Sequence, residues 1–143
     1  MRKCGDCTLC CSVLEIKDDG LNKPSFCECG FLSPRGGCAV YEVRPRVCRG
    51  FMCEWLKGVF GDMARPDKSG IIMRGGAEIK ARFGDKVVVF DECWQDASSA
   101  PIVHDMVKEL THLGVAVILV TFKHLQVLVY GTDEQKDRLE KLL

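Results

Sequence analysis

Nine of the ten cysteines in this 143-residue chain lie between Cys4 and Cys53, and a segment so rich in thiols must fold around them. Neighbouring thiols such as Cys10 and Cys11 make awkward disulfide partners. The N-terminus has no apolar signal-peptide core, so we expect a cytoplasmic protein whose thiols stay reduced. We therefore interpret the nine thiols as metal ligands, in preference to disulfides, redox-active groups or small buried side chains.

The sharpest signal is the opening pattern Cys4-x2-Cys7-x2-Cys10-Cys11. In a Cys-x2-Cys loop the chain folds back so that two sulfurs meet one metal ion while backbone amides donate to them. Cys10 and Cys11 cannot easily both serve one tetrahedral ion, which leaves two nearby sites or one bystander thiol as alternatives. The predicted metal ligands are Cys4, Cys7, Cys10, Cys11, Cys27, Cys29, Cys38, Cys48 and Cys53.

The identity of the metal stays open between zinc and iron. Four thiolates in tetrahedral geometry suit zinc and iron–sulfur clusters alike. Paired Cys-x2-Cys knuckles favour zinc, whereas a Cys-x2-Cys-x2-Cys run is typical of cluster binding, here without the ferredoxin x3-Cys-Pro continuation. We predict a metal-binding protein with a structural or metal-handling role and no assigned reaction. The alternatives are an iron–sulfur protein with a redox or enzymatic role and a zinc-organised interaction module.

The spacing of Cys48 and Cys53 raises a second question. On a regular helix, residues five apart point ~140° away from each other, so either the helix breaks near Gly50 or the two thiols face different partners. Four thiolates around a divalent ion leave about two negative charges, which guanidinium groups can neutralise. Neutralisation and an ordinary solvated basic face are equally good interpretations of the arginines around Cys48, which are Arg44, Arg46 and Arg49.

Other functions find little support in the sequence. The formal net charge is zero, so the overall charge favours neither nucleic acid nor an anionic membrane. No apolar run approaches the ~18 residues of a membrane-spanning helix. The sequence contains no phosphate-binding loop, dinucleotide fingerprint or Ser-His-Asp arrangement, so no catalytic residue is predicted and enzymatic activity is left open. We interpret Cys93 as an inert thiol, leave any protein partner unidentified, and interpret three histidines as exposed surface: His104, His112 and His124.

The chain divides into a cysteine-rich, zinc- or iron-chelating region, residues 1–57, and an α+β region, residues 58–143, that is compatible with packing against the first as one unit. Glycine and proline interrupt every periodic pattern in the first region, where one short helix is predicted from Pro45 to Lys57. The second region is regular. Residues 71–73 and 77–83 are predicted together as strand material before a turn at Gly84-Asp85, and further strands are predicted over residues 86–90, 115–122 and 125–130.

Two helices complete the second region. Ser98 or Ser99 is predicted to cap the first, with Pro101 in its first turn and Gly114 at its end. A capping box beginning at Thr132 opens the second. The order ββαββα predicts an α+β fold with an antiparallel sheet and helices on one face.

Two segments resemble a known family. The CxxCxxCC opening and the stretch CAVYEVRPRVCRGFMC, residues 38–53, are similar to the signature of the bacterial YkgJ-type zinc- or iron-chelating domain, matched over residues 4–56. The resemblance implies metal chelation without a settled reaction, and relatives often carry histidine where this chain has Cys29. Longer flagellin lysine methylases share the signature, but the missing glycine-rich nucleotide loop argues against methyl transfer here. The resemblance assigns a ligand role to Cys4, Cys7, Cys10, Cys11, Cys38, Cys48 and Cys53.

Overall fold

The computed structural model describes residues 2–18 and 21–143. A loop-rich N-terminal region precedes a four-stranded sheet with interleaved helices, which confirms the predicted α+β class. The helices are α1 Leu9–Val13, α2 Arg46–Gly50, α3 Pro66–Ser69, α4 Ala77–Phe83, α5 Pro101–His112 and α6 Asp133–Glu140. The strands are β1 Ile16–Asp18, β2 Leu21–Lys23, β3 Ile71–Arg74, β4 Val87–Glu92, β5 Ala116–Val120 and β6 Val127–Tyr130.

The four-stranded sheet is mixed, so the predicted antiparallel sheet was wrong in one strand pair. Its order is β3-β4-β5-β6, and β3 with β4 and β5 with β6 are antiparallel. The central pair β4 and β5 is parallel. Between them α5 carries the chain back to the end of the sheet where β4 began, and this crossover forces parallel pairing. A small antiparallel pair, β1 with β2, lies in the N-terminal region.

The predicted strand over residues 77–83 is the helix α4. Its apolar residues Ala77, Ile79, Ala81 and Phe83 alternate with charged ones, and this alternation imitates a strand. The same stretch is rich in alanine, glutamate, lysine and arginine, which favour helix. Ile79 and Phe83 are four residues apart, so one helical face buries both.

Helices cover both faces of the sheet, so the prediction of helices on one face was also wrong. Every residue of β5 is apolar, and a strand of this composition needs cover on both sides. On one face α5 buries Val103, Met106 and Leu110 against a cluster that includes Phe90 and Val117. On the other face α4 and α6 form a second cluster, which contains Ile79, Phe83, Val87, Val89, Ala116, Ile118 and Leu139.

The starts of the two longer C-terminal helices were predicted with mixed success. The capping box is confirmed, because Gln135 N donates to Thr132 Oγ1 at 3.2 Å and Thr132 N donates to Gln135 Oε1 at 2.9 Å. Pro101 does begin α5, but neither predicted serine caps it. Both lie in a short 3-10 helix, Ala97–Ser99, where the Ser98 amide donates to the buried Glu92 carboxylate at 2.8 Å.

The cysteine-rich region packs directly on β3, the edge strand of the sheet. The Glu54 amide donates to the Met73 carbonyl at 2.9 Å, so this segment continues the hydrogen bonding of the sheet beyond its edge. Trp55 and Leu56 belong to the same core cluster as α5. On the opposite face Ile72 is fully buried and clusters with Val13 of α1. Side chains from both sides of the predicted 57/58 boundary therefore share a core.

Candidate metal centre

Eight of the nine predicted ligands line one cavity of about 530 Å³. The two remaining cysteines of the chain lie outside its lining: Cys27 is exposed and Cys93 is buried. All ten cysteines fall within the described residues, and all are free thiols. The cysteines that line the cavity are Cys4, Cys7, Cys10, Cys11, Cys29, Cys38, Cys48 and Cys53.

The first two cavity cysteines stand at the ends of a tight turn. The Cys7 amide donates to the Cys4 carbonyl at 3.0 Å, and Gly5 within the turn has φ +60°, in the left-handed region that favours glycine. A Cβ on Gly37 would lie 3.1 Å from the Gly5 carbonyl oxygen, so the turn approaches the Cys38 segment closely. The predicted fold-back of the opening Cys-x2-Cys loop is therefore present.

Backbone hydrogen bonds attach the next cysteines to one another. α1 holds Cys10 and Cys11 side by side, and the Cys11 carbonyl accepts from the Cys29 amide at 3.0 Å. The Cys29 sulfur accepts from the Phe31 amide at 3.5 Å, which is the amide-to-sulfur bond expected of a metal-binding thiol loop. Cys38 is held by an antiparallel bridge to Leu32.

Cys48 and Cys53 both reach the cavity because the helix between them ends. α2 ends at Gly50, and Phe51 is extended with φ −87° and ψ 127°. The predicted helix from Pro45 to Lys57 is therefore only a five-residue segment, Arg46–Gly50. The chain direction changes at Gly50, which removes the ~140° divergence of a regular helix.

The thiols share a cavity but do not form a coordination shell. Cys10 Sγ and Cys11 Sγ are 3.9 Å apart. Across residues 2–18 and 21–143, no three Cys, His, Asp or Glu side chains meet closely enough to hold an ion. The donor chemistry still fits a thiophilic metal, because eight cysteines line one cavity.

Burial and hydrogen bonding set the protonation of these thiols. Burial raises the pKa of Cys4, Cys48 and Cys53. The hydrogen bond between Cys10 and Cys11 raises the pKa of Cys10 and lowers the pKa of Cys11 to about 7. The positive charges of two side chains, Lys23 and Arg44, further lower the pKa of Cys11.

Lys23 is a site residue that sequence reasoning missed. It is only 5% exposed, and its ammonium donates to the carbonyls of Pro24 at 3.0 Å and Cys27 at 2.7 Å. Burial lowers its pKa, and the neighbouring thiols Cys27, Cys29, Cys11 and Cys10 oppose that shift. Lysine side chains are ordinarily solvated, so nothing in the residue pattern marks Lys23 as a buried charge beside thiols.

The three arginines around Cys48 were interpreted either as neutralising the thiolates or as an exposed basic face, and the structure places them differently. Arg44 lines the cavity, where its Nε donates to the Tyr41 carbonyl at 2.9 Å and its guanidinium lies 3.9 Å from the Tyr41 ring centroid. Its charge lowers the pKa of Cys4 and Cys11 against the effect of burial. Arg46 and Arg49 are exposed, as the solvated-face interpretation requires.

The remaining predictions concern histidines and Cys93. His104 and His112 are exposed on α5, as predicted. His124 is exposed in the turn before β6, but it also lines the cavity, with its ring centroid 5.3 Å from that of Phe26. Burial raises the pKa of the Cys93 thiol, which is consistent with an inert role.

A half-buried ion pair forms another wall of the cavity. Arg74 on β3 holds Asp91 on β4 through two hydrogen bonds, Nε to Oδ2 at 2.5 Å and Nη2 to Oδ1 at 3.1 Å. The Asp91 side chain is buried, whereas the Arg74 side chain is 30% exposed. The pair therefore joins two strands at the cavity wall and is partly screened by solvent.

Arg74→Met is expected to lower the free energy of unfolding by about 1–3 kcal/mol, because the buried Asp91 carboxylate loses its charged donor. Chemical denaturation of both proteins measures the loss. Lys80→Met is the matched control, since the Lys80–Asp85 pair is well exposed and its removal should change stability by less than about 1 kcal/mol. Equal losses in the two variants would contradict a structural role for the Arg74–Asp91 pair.

Comparison with known proteins identifies no relative of this chain. No protein-family model, curated protein or solved structure matches the chain. The similarity to the YkgJ-type domain therefore stays a prediction from its motifs. None of the helices in the described part of the chain has both the length and the apolar character needed to cross a membrane.

Proposed function

We propose that this chain is a cytoplasmic YkgJ-type metal-binding protein that chelates zinc or iron through the cysteines of the cavity, in a structural or metal-handling role. The observation that carries the proposal is the gathering of eight thiols around one cavity. They come from the opening loop, α1, the middle segment and the stretch from α2 to residue 53. Three stretches that are separated in sequence, residues 4–11, 29–38 and 48–53, supply these thiols to one cavity, which supports a shared ligand.

The electrostatics of the cavity support this proposal. Thiolate ligands bring negative charge, and a site of four thiolates on a divalent ion keeps about two negative charges. Lys23 and Arg44 stand close enough to Cys11 to shift its pKa downward. Two fixed cations beside the thiols can therefore offset the charge of a thiolate-bound metal.

An iron–sulfur cluster is the second candidate, and the cavity is large enough to hold one. The volume of about 530 Å³ far exceeds that of a single ion, since one water molecule in the liquid occupies roughly 30 Å³. A cluster held by four of the eight thiols would occupy more of this space and would bring redox chemistry.

Metal and sulfide analysis after anaerobic purification tests both candidates. For zinc chelation we expect a colourless protein with stoichiometric zinc and no labile sulfide. A mononuclear iron site would instead show stoichiometric iron without labile sulfide. A brown protein with equal iron and sulfide would identify the cluster. If the protein carries no metal, binds none on reconstitution with zinc or ferrous iron, and has paired cysteines, the proposal fails.

A further inference from the structure

The two edges of the four-stranded sheet differ in whether another segment covers them. At the β3 edge the Glu54 amide donates to the Met73 carbonyl, so the cysteine-rich region covers that strand. At the other edge, within the described part of the chain, β6 pairs only with β5. An uncovered edge strand presents a row of backbone donors and acceptors to any strand that can lie beside it.

The uncovered strand is apolar and contains no charged residue or proline. Its sequence is Val-Leu-Val-Tyr, and three of the four side chains are exposed, with Leu128 at 41%. Leu125 in the preceding turn is also exposed. Natural sheet edges are generally protected by lysine, proline, a bulge or a covering segment, and β6 contains neither lysine nor proline. The surface is suited to a partner strand.

The hydrogen-bond register shows which residues of β6 are available. Thr121 N donates to Gln126 O at 3.0 Å, which marks a hydrogen-bonded pair one position beyond Val120↔Val127. Hydrogen-bonded and non-hydrogen-bonded pairs alternate in an antiparallel ladder. The backbone N–H and C=O groups of Leu128 therefore bond to β5, whereas those of Val127 and Val129 point toward the open edge.

A second copy of the strand satisfies these groups. With a two-fold axis perpendicular to the sheet at Leu128, Val127 of each copy lies opposite Val129 of the other. These two pairs are both hydrogen-bonded, so four backbone bonds form within the strand bounds. The side chains of Leu128 from the two copies then meet at the axis, on the same face of the joined sheet.

Charge at the two ends of β6 favours the same antiparallel partner. The exposed Lys123 precedes the strand, and the exposed Asp133 and Glu134 follow it in the first turn of α6. Antiparallel pairing places the beginning of each strand beside the end of the other. The lysine of each copy then faces the acidic turn of its mate, and the arrangement is self-complementary.

We propose that the protein forms a two-fold symmetric dimer through β6, joining two four-stranded sheets into one continuous eight-stranded sheet. The proposal is independent of metal chelation, because it rests on the sheet edge opposite the one that the cysteine-rich region covers. Sedimentation velocity over a range of micromolar concentrations tests it directly. The expected species has twice the 15.9 kDa mass of the chain.

Two sets of variants make the test specific. Leu128→Lys places two ammonium groups together at the axis and should weaken dimerisation at least tenfold, with an unchanged circular dichroism spectrum. Leu113→Lys is the matched control, since Leu113 is 65% exposed and lies outside β6, and it should leave the dimer intact. Lys123→Glu should weaken the dimer several-fold, and adding Asp133→Lys should restore it.

Three results would overturn the proposal. The wild-type chain could remain monomeric across the whole concentration range, as it would if β6 receives a strand of another protein. Leu128→Lys and Leu113→Lys could lower the fraction of dimer in sedimentation velocity by the same amount. The Lys123→Glu, Asp133→Lys double variant could be weaker than the single variant, which would exclude the antiparallel arrangement.

Discussion

Cys7→Ser is expected to weaken metal binding by more than about 100-fold, because even residues that only hydrogen-bond to metal ligands contribute about 10–100-fold in affinity. Cys7 lines the cavity at the end of the opening turn. Serine preserves the size of the side chain but replaces a soft thiolate donor with a hydroxyl. Competition titration with a chelator of known affinity measures the change.

The same substitution should also loosen the cysteine-rich region. Loops and five-residue helices bury little apolar surface, so metal coordination is expected to supply much of their stability. Limited proteolysis should therefore cut Cys7→Ser within residues 2–57 faster than it cuts the metal-loaded wild type.

Cys27→Ser is the control for both measurements, because Cys27 is exposed and outside the cavity lining. It should retain the wild-type metal content and proteolysis pattern. Unchanged metal affinity in Cys7→Ser would remove Cys7 from the ligand set. Equal losses of metal affinity in Cys7→Ser and Cys27→Ser would show that lining the cavity does not identify a cysteine as a ligand.

Ile72→Ala is expected to lower the free energy of unfolding by about 2–5 kcal/mol and to weaken metal binding as well. The stability loss follows from the apolar surface and packing that a fully buried isoleucine provides. The effect on metal follows from the position of Ile72, which clusters with Val13 of α1, with Cys10 and Cys53 packed against the cluster. A void at this position removes the packing contacts that hold Cys10 and Cys53 in place.

Ile118→Ala separates the two effects. Ile118 is equally buried, but it belongs to the cluster beneath α4 and α6, away from the thiols. We expect a similar loss of stability in denaturant titrations, with metal affinity unchanged under conditions where the protein is folded. A comparable fall in metal affinity in both variants would mean that Ile72 acts through global stability alone.

The fold class was predictable because the second half of the chain carries regular patterns. The capping box at Thr132 and the apolar run of β5 were both interpreted correctly. The strand assigned to α4 was wrong because its alternation of apolar and charged residues satisfies both a period of two and an i,i+4 pair. Parallel pairing of β4 with β5 depends on how α5 returns the chain, and local patterns do not contain that information.

The candidate site was predictable in its residue types but not in its arrangement. Cysteine spacing predicted a group of thiols at short separations, and eight of those nine cysteines line one cavity. Spacing could not distinguish Cys27 from the eight cavity thiols, since both kinds occur in the same loop-rich region. The buried Lys23 and the cavity-facing His124 depend on contacts between segments that are distant in sequence.

The shortness of α1 and α2 has a consequence for how ligands could be rearranged. Isolated helices shorter than about 12 residues are marginal in water, so these five-residue helices depend on their surroundings for their shape. Reorienting such a helix breaks few hydrogen bonds, whereas moving a strand of the sheet would disturb two packed clusters. If the proposed metal binds, Cys10 and Cys11 on α1 and Cys48 on α2 are therefore the thiols that can be reoriented with the least disturbance of the sheet.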